Sequence, residues 1–277
     1  MASDDLTGES AGATATVRRS SSASVPGRPA AGTRTPPRAQ VALGGFMVAA
    51  LALGTDAAVR VHRMRAHRAG VTPLVHELDL PGRFPPRWLV VLGDSAAAGY
   101  DLPDPEAAIG RLVGRGLQAS DGRATAVRSV AVDGARTVDV LTSQIEAAEG
   151  ADVVLIGVGV NDALRPGTRI GELAALTDEV LAAVRARAAD GAQVAMLTCP
   201  DLSAAPGLPP ALRPLVGLRC RAVARAQAEV AGRHGVMIVA ATKPLLAPEV
   251  FGRDGFHPGP VGHALLAERT VDLLTTG

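Results

Sequence analysis

Trp88-Leu89-Val90-Val91-Leu92-Gly93-Asp94-Ser95 joins an unbroken apolar run to a glycine turn and a serine. A run that is apolar at every position, rather than at alternate ones, reads as a strand buried on both faces. Four further runs of this kind lie at 125–132, 152–158, 193–198 and 235–240. Helix-length segments separate and follow them, at about 105–118, 137–148, 169–189, 210–233 and 259–275. Buried strands alternating with helices predict an α/β fold with a five-stranded parallel sheet covered on both faces. Ligands of such sheets bind beyond the carboxyl ends of the strands. The chemically suggestive residues follow these strands, which is where a site is expected.

The Gly93-Asp94-Ser95 turn is followed by Ala96, Ala97, Ala98 and Gly99, which leave the chain free to open a helix. A serine at a helix N-terminus lies among backbone N–H groups that favour a developing anion. The surrounding residues are not Gly-x-Ser-x-Gly, so the usual nucleophile elbow of α/β-hydrolases is absent. Taken alone, Gly-Asp-Ser reads equally as a capped strand–turn–helix.

Gly134 follows the second strand in Val132-Asp133-Gly134-Ala135 and can bring its N–H close to a substrate, or serve only as a turn residue. Asn161 follows the third strand in Gly159-Val160-Asn161-Asp162. Its amide can donate to an oxyanion, and losing one such donor costs roughly 10²–10³ in rate. The alternative is an Asx-turn. Asp94 and Asp162 read as support for the site rather than as catalytic groups.

Near the C-terminus, Asp254-Gly255-Phe256-His257-Pro258 places a carboxylate and an imidazole three residues apart. Pro258 fits the first turn of the final helix and leaves His257 on an exposed loop. A serine hydroxyl needs a base to take its proton, and the imidazole needs a carboxylate to fix its tautomer. Ser95, His257 and Asp254 can fill those roles. Of the other histidines, His62, His67 and His76 lie in the N-terminal part, His234 precedes a strand and His263 falls in the final helix.

These blocks resemble the four conserved blocks of the SGNH hydrolases, also called GDSL-type esterases/lipases, over about residues 87–277. The Pro-rich loop after the fourth strand, from Thr198-Cys199-Pro200-Asp201 to Leu208-Pro209-Pro210, resembles an actinobacterial branch of that family. The resemblance implies a flavodoxin-like three-layer α/β/α sandwich and hydrolysis of carboxyl esters or thioesters with no cofactor and no metal. It implies Ser95 as nucleophile, His257 as base, Asp254 as its orienter, and an oxyanion hole of Ser95, Gly134 and Asn161. Asp133 departs from the uncharged residue of many relatives and adds a carboxylate near the site. A lipid or other small-molecule ester is the expected substrate, of esterase, lipase or lysophospholipase type. A carbohydrate acetylesterase, a thioesterase and a non-catalytic binding protein on the same fold are the alternatives. Loops 99–106, 162–170 and 199–213 are expected to shape an acyl pocket.

Composition bounds the rest. A net charge of +1 argues against a nucleic-acid partner. Aromatics are only 2% of the residues, so the core must be built from Ala, Val and Leu, and an aromatic sugar platform is disfavoured. Cys199 and Cys220 set neither a disulfide framework nor a metal site; they read as small buried hydrophobes, with one disulfide as the alternative. Residues 1–40 are rich in Ser, Ala, Thr, Gly, Pro and Arg and read as disordered. Residues 41–68 read as an apolar helix with an Arg-rich end. The unbroken run 41–54 is shorter than the ~20 residues a transmembrane helix needs. Membrane contact through 41–59, with a cell-envelope location, is favoured over a cytoplasmic protein whose helix packs on the domain. Residues 69–86, with Pro73, Pro81, Pro85 and Pro86, read as a linker into a domain at 87–277.

Overall fold

The protein is described by a computed structural model covering residues 77–240 and 247–276. The N-terminal region, including the candidate membrane segment 41–59, lies outside the described residues. No helix among the described residues is long and apolar enough to cross a membrane.

Six strands form one sheet: β1 (Glu77–Leu80), β2 (Arg83–Gly93), β3 (Arg123–Ser129), β4 (Val153–Gly157), β5 (Gln193–Leu197) and β6 (Met237–Val239). Their order is β1-β3-β2-β4-β5-β6. All neighbours run parallel except β1, which lies antiparallel on β3. Around it lie α1 (Ile109–Asp121), α2 (Thr137–Ser143), α3 (Val160–Leu164), α4 (Ile170–Arg187), α5 (Arg213–Arg233) and α6 (Pro260–Thr276).

The unbroken apolar strands explain the three layers. Successive side chains on a strand point to opposite faces. Val90, Leu92, Val154, Ile156, Val194 and Met196 meet α2, α4 and α5 on one face. Leu89, Val91, Val127, Val153, Leu155 and Ala195 meet α1 and α6 on the other. Helix α1 approaches closely because Gly114 offers no side chain; a Cβ there would stand 2.4 Å from Val127 Cγ2.

Among the described residues the sheet has six strands, not five, and the added one corrects the linker reading over 77–86, while 69–76 lie outside the described residues. Strand β1 and the start of β2 occupy the stretch 77–86. Prolines 85 and 86 are tolerated because they fall where the pairing of β2 with β3 shifts register, between Arg83 and Arg87, and before pairing with β4 begins at Leu89. The carbonyls of both prolines accept hydrogen bonds from the Arg123 guanidinium.

Chain order turns back at β2, with β3 on one side and β4 on the other. Gly93, Gly157 and Leu197 pair across β2, β4 and β5, so these strands end level. The loops that follow therefore open at a topological switch point.

Candidate active site

Ser95 lies two residues beyond β2, in a run of turns rather than at the start of a helix. Ala98 N–H reaches Asp94 O at 2.9 Å, giving one helical turn. Gly99 and Asp101 then take φ of +71° and +60° and end it. Helix α1 begins only at Ile109, after Pro103 and Pro105. Ser95 thus stands in a turn and not at a helix N-terminus, and the helix-length segment expected at about 105–118 forms α1.

His257 sits on a loop pinned at both ends. Gly252 N–H donates to His257 O at 2.8 Å, and Gly259 N–H donates to Val250 O at 2.8 Å. Pro258 forms a bridge with Phe251, so it closes the loop, and the final helix starts later, at Pro260. Asp254 Oδ1 accepts from the N–H groups of Phe256 at 2.8 Å and His257 at 3.0 Å. Its other oxygen faces His257 Nδ1 at 2.5 Å. On the far side of the ring, Nε2 lies 2.9 Å from Ser95 Oγ. Burial alone would raise the Asp254 pKa, but the hydrogen bond and charge of His257, with the two N–H groups, hold it below the ordinary carboxylate range. Tyr100 and Phe256 wall the imidazole, with ring centroids at 4.5 and 5.1 Å.

Asn161 lines the same cleft from α3, and its Nδ2 donates to Ala135 O at 2.9 Å. An amide nitrogen carries two hydrogens, so one remains for another acceptor. Gly134, at φ +80°, is one residue before that carbonyl but is not itself among the residues lining the cleft. Asp162 points the other way: its Oδ2 accepts from Thr137 N and Oγ1, both at 2.9 Å, and so anchors the start of α2. Asp94 Oδ1 accepts from Ala96 N at 3.0 Å. Burial pushes the Asp94 carboxyl up to about 7; the Ala96 N–H and His257 oppose the rise and Asp162 adds to it.

The cleft encloses about 200 Å³. It continues into an apolar recess of about 90 Å³ between Cys199, Phe251 and Leu266. Tyr100, Leu164, Pro200 and Leu202 line the cleft from the three loops expected to do so. The walls from 250–258 and α6 were not expected. Cys199 and Cys220 are both buried free thiols. The hydrogen bond that the Cys199 thiol donates to Cys220, together with burial, raises the Cys199 thiol well above its usual range. Among the described residues, no group of three or more His, Cys, Asp or Glu side chains is placed to hold a metal.

Two buried glutamines escaped the sequence reading. Gln144 accepts from Gly93 N at 2.7 Å and donates to Gly93 O at 2.9 Å, clamping the backbone before Ser95. Gln227 accepts from Cys199 N and donates to Val158 O, both at 2.8 Å, tying the ends of β5 and β4 to α5. Gly159, at φ +128°, makes room for it: a Cβ there would lie 2.6 Å from Gln227 Nε2.

A doubly wound sheet with a hydroxyl–imidazole–carboxylate chain at its switch point defines a class of α/β proteins in which that chain is the first place to look for chemistry. Within that class, the chain belongs to the GDSL-like lipase/acylhydrolase family, whose model matches residues 91–265. It is 32% identical over 190 residues to a GDSL-like esterase of Mycobacterium tuberculosis, covering 65% of this chain and 59% of that one. The chain thus spans less than two-thirds of that relative's length. The mycobacterial source agrees with the actinobacterial branch. Among solved structures it is similar to the lipase/acylhydrolase from Enterococcus faecalis, at 25% identity and a TM-score of 0.55, over 67% of this chain and 94% of that one. It is also similar to TesA, at 25% identity and a TM-score of 0.53, over 68% of this chain and 98% of that one.

Proposed function

We propose that the protein hydrolyses carboxyl esters through an acyl-enzyme formed on Ser95. The observation that carries this is the continuous path from Ser95 Oγ through both nitrogens of His257 to Asp254, at 2.9 and 2.5 Å. His257 accepts the Ser95 proton as Oγ attacks the ester carbonyl, and Asp254 steadies the imidazolium. The oxyanion is held by the N–H groups of Ser95 and Gly134 and by the second N–H of the Asn161 amide. His257 then protonates the departing alcohol. It next draws a proton from water, whose attack releases the acid and restores Ser95.

The apolar recess beyond Phe256 suits an aliphatic acyl group. The GDSL-like esterase relative and the family's lipase and acylhydrolase members favour the same reaction type.

The test is turnover of a p-nitrophenyl ester series, from acetate to palmitate, by wild type and Ser95→Ala. We expect activity in wild type and a loss of at least about 10³-fold in the variant, with an unchanged circular-dichroism spectrum. A folded Ser95→Ala variant with full activity would end the proposal.

A further inference from the structure

The start of α5 carries an exposed apolar row that the fold does not use. Leu212, Leu215 and Leu218 are 42%, 66% and 60% exposed, and Pro210, Ala211 and Pro214 beside them are exposed too. Leucines three apart share one side of a helix. The buried side of α5 is a different one, formed by Gly217, Cys220, Val223 and Gln227. A cluster of large exposed apolar side chains on one helix marks a contact surface.

The charges along this segment have one sign. Residues 202–228 contain Arg213, Arg219, Arg221 and Arg225 and no Asp or Glu, within a chain whose net charge is only +1. Arg221 pairs with Asp201. Arg213 and Arg219 instead donate to backbone carbonyls, which leaves their charge uncancelled. Arg165 and Arg225 are exposed.

The row also flanks the cleft. Arg219 holds the carbonyls of Ala163 and Thr168, on either side of Leu164, which lines the cleft and is 39% exposed. Arg213 holds Pro206 O at 3.0 Å, and the adjoining Gly207 N–H donates to Gly255 O at 2.7 Å, within the loop that carries Asp254 and His257.

We propose that the first turns of α5 seat the protein on an anionic lipid surface, with Leu212, Leu215 and Leu218 entering the headgroup region and the arginines meeting lipid phosphates. Leucines flanked by basic residues match the composition of interfacial helices, and a basic patch responds to anionic leaflets. A second copy of this chain would bring the same arginines face to face, so the charge favours lipid. Resting on the ester-hydrolase reading above, the seat identifies the substrate class as esters drawn from a lipid surface, because the seated row borders the cleft.

The experiment is co-sedimentation of the full-length protein with phosphatidylcholine vesicles, with and without phosphatidylglycerol, in wild type and in Leu215→Asp/Leu218→Asp. Both leucines are exposed, so the variant should fold. Turnover of p-nitrophenyl acetate in solution reports this independently and should be unchanged. Wild type should prefer anionic vesicles and weaken as salt rises, and the variant should lose about tenfold or more in affinity. Equal vesicle binding by variant and wild type would overturn the proposal, since segment 41–59 or another surface would then carry it. Equal wild-type binding to neutral and anionic vesicles would overturn it as well. So would a wild-type dimer that the variant breaks into monomers on size-exclusion chromatography. Absence of p-nitrophenyl ester turnover in wild type would defeat the hydrolase reading while leaving the vesicle result to stand by itself.

Discussion

Asp254 does two separable jobs, one with each oxygen. Oδ1 holds the backbone of its own loop, and Oδ2 meets the imidazole. Asp254→Asn can keep the first while spoiling the second, because an amide no longer stabilises an imidazolium. It should keep its melting temperature within a few degrees yet lose on the order of 10³–10⁴ in kcat. A large stability loss with little loss of kcat would show the residue to be structural. Asp94 makes the opposite kind of prediction. Its carboxyl is raised from 3.8 to about 7, mainly by burial, so the folded chain keeps a proton that the unfolded chain releases. Its stabilising contribution is full below about pH 4, is lost as pH rises toward 7, and is constant above that. Asn at this position keeps an oxygen for the Ala96 N–H but cannot ionise. The urea midpoint of Asp94→Asn should therefore fall less than that of wild type between pH 4 and 7. Parallel curves would remove Asp94 as the titrating group.

The loops that carry the site are held by helices through side-chain amides. Gln144, 2% exposed, forms both of its bonds to Gly93, and the Gly93 carbonyl has a second partner in Val132 N–H. Truncating Gln144→Ala therefore orphans mainly the Gly93 N–H. A buried unsatisfied donor costs about 1–3 kcal/mol, so the urea midpoint should drop accordingly, with kcat falling as Ser95 loosens. A change within a few tenths of a kcal/mol would mean that water or a backbone shift replaces the glutamine. This pair of clamps also shows where sequence reading stops. Strands β2, β4 and β5 were legible because burial on both faces leaves an unbroken apolar signal. Ser95, Asn161 and the Asp254–His257 pair were legible because their neighbours in sequence place them. A lone glutamine at the end of a helix or within one leaves no local pattern, since Gln144 bonds a residue 51 positions away and Gln227 residues 28 and 69 away. Strand β1 was hidden for a related reason. Its four residues, Glu-Leu-Asp-Leu, sit at an edge beside prolines, and only pairing with β3 makes them a strand. The five-residue helix α3 is too short to show a helical period.

At the scale of the molecule, the described residues supply both sides of their own core. The two large clusters draw on all three layers, and a third, with Leu173, Leu202 and Val223, closes beneath the cleft. Among the described residues, each of these buried side chains lies beyond Trp88, in the span that also carries the candidate site. A fragment of residues 70–277 should consequently unfold in one cooperative step and hydrolyse p-nitrophenyl acetate within about twofold of the full chain. An insoluble or inactive fragment would assign part of the core to residues 1–69. The same fragment divides the two candidate membrane contacts, because it lacks 41–59 and keeps α5. If the leucine row is the seat, the fragment still prefers anionic vesicles, and Leu215→Asp/Leu218→Asp abolishes that preference in it. If the fragment ignores vesicles while the full chain binds them, the contact belongs to the N-terminal region, and α5 must be read as a surface that faces water.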